Sequence, residues 1–68
     1  MHMRLRELRK ANHLTLKQVG AHVEKTYATV SRWENGLIPV SSTDLVKLAA
    51  LYGVHVREIW EEDNGDDE

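Results

Sequence analysis

Residues 15–36 read TLKQVGAHVEKTYATVSRWENG, and the spacing of apolar positions in this stretch decides the fold. Thr15 followed three residues later by Gln18 matches the capping box that opens a helix, in which hydroxyl and carboxamide each satisfy a backbone N–H. Leu16, Val19, Gly20 and Val23 then recur at i, i+3, i+4 and i+7, one buried stripe. Gly20 costs such a helix about 1 kcal/mol relative to alanine, which makes sense where another helix crosses very close. Thr26 is a second cap, and Asn35-Gly36 offers a left-handed stop. Between them side chains advance by about 100° per residue. Thr29, Val30, Trp33 and Glu34 therefore fall on one half, and Tyr27, Ala28, Ser31 and Arg32 on the other. One side is suited to burial; the other offers a phenol, a methyl, a hydroxyl and a guanidinium.

The flanks continue the pattern. A first helix is expected from about Met3 to Asn12, with Leu5 and Leu8 inward, Arg4, Arg6, Arg9 and Lys10 around the rest, and Asn12-His13 as its stop. After Leu37, Ile38 and Pro39, the run SSTDLVKLAALYG predicts a fourth helix. Ser41 or Ser42 caps it, Leu45, Leu48, Ala49 and Tyr52 form its buried face, and Gly53 ends it. A fifth, from about Val56 to Glu61, would bury Val56, Ile59 and Trp60. Loops of a few residues suit a small bundle, and no repeat or strand pattern competes. The expected fold is all-α, a compact five-helix bundle.

Composition bounds the function. A chain of 68 residues is one domain, near the lower size at which chains fold alone. It has no cysteine, and its four histidines (His2, His13, His22, His55) are scattered without the spacing of a metal site. No metal, cofactor or small-molecule ligand is expected. No apolar run approaches the ~20 residues of a membrane span, so a cytoplasmic location is the default. The formal charge of −2 hides an asymmetry. Residues 61–68, EEDNGDDE, hold six of the eleven acids, whereas residues 1–60 hold nine Lys and Arg against five acids, a balance of +4. The division is therefore a domain over 1–60 and an acidic tail over 61–68, read as solvated and disordered or, alternatively, as a competitor for a basic surface. Charge permits a polyanionic partner without demanding one.

Only a few residues, roughly 22–26, join the second and third helices. A joint that short forces two helices sharing one core to cross steeply, which is the helix-turn-helix arrangement. The outer side of the second of them is then free to enter the DNA major groove, whose width admits a helix.

The sequence LRELRKANHLTLKQVGAHV…TYATVSRWENG…LVKLAALYGVHVREIW resembles the phage-repressor helix-turn-helix family, lambda-repressor-like or Cro/XRE type. The likeness covers about residues 3–60. It rests on four blocks in order, L-x-x-L-R, L-T-x-x-x-V-G, T-V-S-R-W-E-x-G and L-x-x-L-A-x-x-Y-G-V. The resemblance implies a helix-turn-helix domain that binds double-stranded DNA, commonly as a homodimer on a palindromic operator, in a bacterial or phage setting. It further implies base contacts from Thr26, Tyr27, Ala28 and Arg32. Arg32 is the strongest of these physically, since a guanidinium pairs bidentately with guanine O6 and N7. The competing reading of Arg32 is a solvated surface arginine. Thr29 and Ser31 suit phosphates, with Lys17, Lys25 and Asn35 as further phosphate candidates. Trp33 and Tyr52 read as core rather than as stacking platforms. Glu34 looks misplaced on a DNA-reading helix, and the resemblance implies its partner: a structural ion pair with Arg9.

Three departures stand out. Where the family commonly turns on glycine after the second helix, this chain has Glu24; a non-glycine residue there costs about 1–2 kcal/mol, so a reshaped turn is expected. Lys25 replaces an apolar residue, and Leu16 stands where glutamine is frequent. Val54, Val56 and Trp60 are candidates for a dimer interface, though core packing explains them equally well. The leading expectation is a transcriptional repressor. The alternative is a protein-interaction module, antitoxin-like or antirepressor-like, which Glu24 and the acidic tail favour. No nucleophile–base set, glycine-rich loop or metal cluster suggests an enzyme.

Overall fold

A computed structural model describes residues 2–61 of the chain. It is a helix-turn-helix fold built on four α-helices, α1 (Leu5–Ala11), α2 (Leu16–Val23), α3 (Tyr27–Glu34) and α4 (Ser42–Tyr52). Two short strands, β1 (His2–Met3) and β2 (Trp60–Glu61), pair antiparallel, with His2 opposite Glu61 and Met3 opposite Trp60. None of the described helices is long and apolar enough to cross a membrane.

The expected fifth helix is a single 3₁₀ turn, Val56–Ile59. The Arg4 N–H donates to the Ile59 carbonyl at 2.6 Å, taking the acceptor that a further helical turn would use. The chain then becomes extended at Trp60 and joins β1. Ile59 is buried, but Val56 is only half-buried and Trp60 is 36% exposed. Met3, expected in the first helix, belongs to β1 instead. Of the stretch read as an acidic tail, only Glu61 is described, and its backbone is in β2; the rest lies outside the described residues.

The core takes residues from every helix: Leu5 and Leu8, Val19 and Val23, Val30 and Trp33, then Leu48, Ala49 and Tyr52, closed by Ile59. Asp44 is also buried. It lies in the first turn of α4, where its N–H donates to Ser41 Oγ at 3.2 Å and its carboxylate accepts from the same hydroxyl at 3.1 Å.

All four helices close through a residue in the left-handed region. Two of these are glycines, Gly36 (φ 71°) and Gly53 (φ 72°); the others are His13 (φ 58°) and Glu24 (φ 61°). The turn after α2 is thus not reshaped. Glu24 adopts the left-handed conformation itself, and the Lys25 N–H closes the turn on the Gly20 carbonyl at 2.8 Å. Gly20 also finds its reason here, and not in a crossing helix. A Cβ at Gly20 would stand 2.6 Å from the Lys25 carbonyl oxygen, so the chain folds back directly over the bare α-carbon.

Candidate nucleic-acid interface

α3 begins where the turn releases it. Thr26 is extended (φ −79°, ψ 161°), and its Oγ1 accepts from the Thr29 N–H at 3.3 Å while lying 3.2 Å from the Thr29 hydroxyl. This cap satisfies one otherwise orphaned amide and starts the helix at Tyr27. Val30 and Trp33, at 1% and 4% exposure, fix the inward side. The opposite side carries Tyr27 (62% exposed) and Arg32 (exposed), with Ala28 and Ser31 half-buried between them. Thr26, Tyr27, Ala28 and Arg32 therefore share the outer side and leading edge of one helix. Lys25 is exposed in the turn before it, and Lys17 is exposed in the first turn of α2.

The remaining candidates divide. Thr29 is half-buried, and its hydroxyl is engaged with Thr26. Asn35 is exposed but committed on both sides. Its Oδ1 accepts from Arg6 Nη2 at 2.9 Å, and its Nδ2 donates to the Ser31 carbonyl at 2.9 Å. Val54 and Val56 are packed against the core while remaining half-exposed.

Glu34 does not face outward. Its side chain is 2% exposed and is held by two arginines of α1. Arg9 Nε donates to Oε2 at 2.6 Å and Arg9 Nη2 to Oε1 at 3.1 Å, a two-pronged grip, while Arg6 Nε reaches Oε1 at 3.4 Å. Arg9 Nη1 also donates to the Leu14 carbonyl at 3.1 Å, so one guanidinium joins the α1–α2 loop to the end of α3. Hydrogen bonding to Glu34 raises the Arg9 pKa above the ordinary arginine range, against the opposing effect of burial. Nearby, Tyr52 is pushed up to about 12 by burial and by the Glu34 carboxylate, with Arg9 acting the other way. Its hydroxyl is buried without a hydrogen-bond partner.

Arg6 was not singled out from the sequence. The signal was available: Arg6 and Arg9 are three apart on one helix and so face the same neighbour. Asp44 was likewise legible as the fourth residue of S-x-x-D.

A helix with one sealed edge and one open face, capped at its start and preceded by a tight left-handed turn, is the element that a helix-turn-helix presents. The helix-turn-helix family matches over residues 5–59. The chain belongs to the Cro/C1/XRE-type helix-turn-helix family. It is a DNA-binding transcription regulator, not an enzyme. Among solved structures it is similar to the restriction-modification controller protein C.AhdI from Aeromonas hydrophila. The two are 32% identical, with a TM-score of 0.77 over 84% of this chain and 83% of the other. No curated protein matches the chain.

Proposed function

We propose that this regulator is a repressor that binds a palindromic operator as a homodimer, with α3 in the major groove. The observation that carries the reading is the division of α3: its one acid is sealed against α1, while Tyr27 and Arg32 stand open. An anionic duplex then meets a guanidinium, a phenol and two lysines, with Glu24 as the one acid of the turn. In this reading Arg32 pairs with a guanine edge, Tyr27 packs against a sugar or thymine methyl, and Ala28 gives apolar contact. Thr26 contributes at the mouth of the groove. Lys17, Lys25 and Ser31 hold the phosphates, setting register without reading sequence, while Thr29 and Asn35 stay engaged within the chain.

One such module reads too few bases for high selectivity. Two copies on half-sites about one helical turn apart, roughly 34 Å, supply the rest. Val54, Val56 and Trp60 are the surface assigned to that contact. Likeness to a restriction-modification controller protein supports a regulatory role at a promoter. The test is a binding selection from randomised duplexes at low salt. Enrichment of a palindrome, a twofold mass in solution and a steep linear fall of log affinity with log salt are expected. No enrichment of any duplex would end this reading in favour of a protein partner.

A further inference from the structure

Arg6 stands on α1, yet its best-made bond is to the end of α3. Nη2 donates to Asn35 Oδ1 at 2.9 Å, and Nε lies 3.4 Å from Glu34 Oε1. A guanidinium has donors only, so Asn35 can meet it only through its carboxamide oxygen. At the other end of that carboxamide, Nδ2 is 2.9 Å from the Ser31 carbonyl and 3.4 Å from Ser31 Oγ. A carbonyl only accepts, so the orientation of the amide is dictated from both sides. The two N–H groups of Nδ2 both go to Ser31, one to the carbonyl and one towards the hydroxyl oxygen. The Ser31 proton is left for the outer side of α3; among the described residues that hydroxyl donates to no acceptor.

We propose that Arg6 is a positioning residue for DNA recognition: acting through Asn35, it presets Ser31 as a hydrogen-bond donor on the outer side of α3. The proposal rests on α3 being the helix that enters the groove. A donor placed there selects an acceptor, which is a phosphate oxygen or the N7, O6 or O4 of a major-groove base edge. With Arg6 absent, the carboxamide is held from the Ser31 side alone and can swing out of that orientation. Ser31 can then give its proton to the Asn35 oxygen or to a carbonyl of its own helix, and it meets the DNA as one acceptor facing another. Charge alone does not produce this effect, because it depends on which atom of Asn35 faces Ser31.

The test is a double-mutant cycle on the folded protein, using a duplex enriched from the randomised pool for the parent chain. Affinities of the parent, Arg6→Met, Ser31→Ala and the double variant are measured at one salt concentration. Ser31→Ala is expected to weaken binding about threefold to tenfold, the range of one hydrogen bond. The loss caused by Arg6→Met is expected to shrink at least threefold in the Ser31→Ala background. Arg6→Lys, whose ammonium is also donor-only, is expected to restore most of the coupling. Should Arg6→Met unfold the domain, Asn35→Ala replaces it in the same cycle.

Equal losses in both backgrounds, or a silent Ser31→Ala, would overturn the proposal. If Arg32→Ala and Tyr27→Ala are silent as well, or if no duplex is enriched, the reading of α3 falls and this proposal falls with it. Neutral methylphosphonate linkages in the duplex identify the acceptor. They abolish the Ser31→Ala effect if it is a phosphate, and a shifted base preference identifies a base.

Discussion

The two ends of α3 are held in opposite ways. Its last turn is bolted to the bundle: Trp33 is in the core, Glu34 is gripped by Arg9 and Arg6, and Asn35 is bonded to Arg6. Its first turn is held by the Thr26 hydroxyl cap, by Val30 in the core and by the tight passage of Lys25 over Gly20, with no ion pair among the described residues. Tyr27 leaves that turn with 62% of its surface exposed. The difference shows how one short helix serves a core and a partner at once. Charge that would repel a polyanion is placed on the inward side at the anchored end and neutralised, and Tyr27 and Arg32 are left on the open side.

The largest effect should come from loosening the anchored end. Arg9→Ala strands a carboxylate whose side chain is 2% exposed, a situation that typically costs about 3–5 kcal/mol. A fall of the thermal midpoint with little change in preferred sequence is expected; a midpoint equal to the parent's would make the pair dispensable. Next is the backbone hold at the other end. Gly20→Val sets a branched side chain against the Lys25 carbonyl, already 2.6 Å from the first carbon added, and should cost about 3 kcal/mol in chemical denaturation. A neutral result would mean the turn has room that the geometry denies.

Arg32→Ala tests the open face. It should remove about 1–3 kcal/mol of discrimination between operator variants while leaving stability nearly unchanged. An unaltered base preference would take Arg32 out of the readout. Glu24→Gly is expected to stabilise by about 0.5–1 kcal/mol. It relieves the left-handed strain of a side-chain-bearing residue, and the greater freedom of glycine in the unfolded chain offsets part of that gain. It also removes an acid from the turn, so binding should tighten; a lower midpoint would show that Glu24 is not strained.

The smallest change concerns pH. Tyr52 is raised in the folded state to about 12, above its ordinary value near 10. The folded state thus keeps that proton where the unfolded state releases it. Its contribution is complete below about pH 10 and lost as pH climbs towards 12. Tyr52→Phe should flatten that alkaline decline relative to the parent, and near neutrality it should cost little because the hydroxyl it removes has no partner. Parallel pH profiles for parent and variant would exclude Tyr52 as the cause.

Much of this arrangement was readable in the chain because its signals are local. The Thr15 and Thr26 caps, the 3.6-residue stripes and the Gly36 and Gly53 stops each act within one turn of helix, and each appears where the residues put it. The errors came where a distant segment decides. Nothing in VREIW says that the Arg4 amide will take the Ile59 carbonyl and end the helix after one 3₁₀ turn. Two-residue strands are too short to show alternation. Glu24 misled for another reason: a conformational cost was visible, but the packing that holds the turn, Lys25 closing on Gly20, outweighs it. Around the site, the Arg9–Glu34 pairing was suggested by family likeness alone, whereas Arg6 and Asn35 needed coordinates. A surface arginine does not announce which of several polar neighbours it will choose.

The small β clasp has a practical corollary. Because His2 and Glu61 are ladder partners, a linker of a few residues from Glu61 to His2 would close residues 2–61 into a ring with little entropic penalty. Fresh termini could then be cut at Leu37–Pro39, an exposed loop free of regular structure. A circular permutant of that kind would carry its fused cargo on the loop that follows α3, beside Met3 and Trp60.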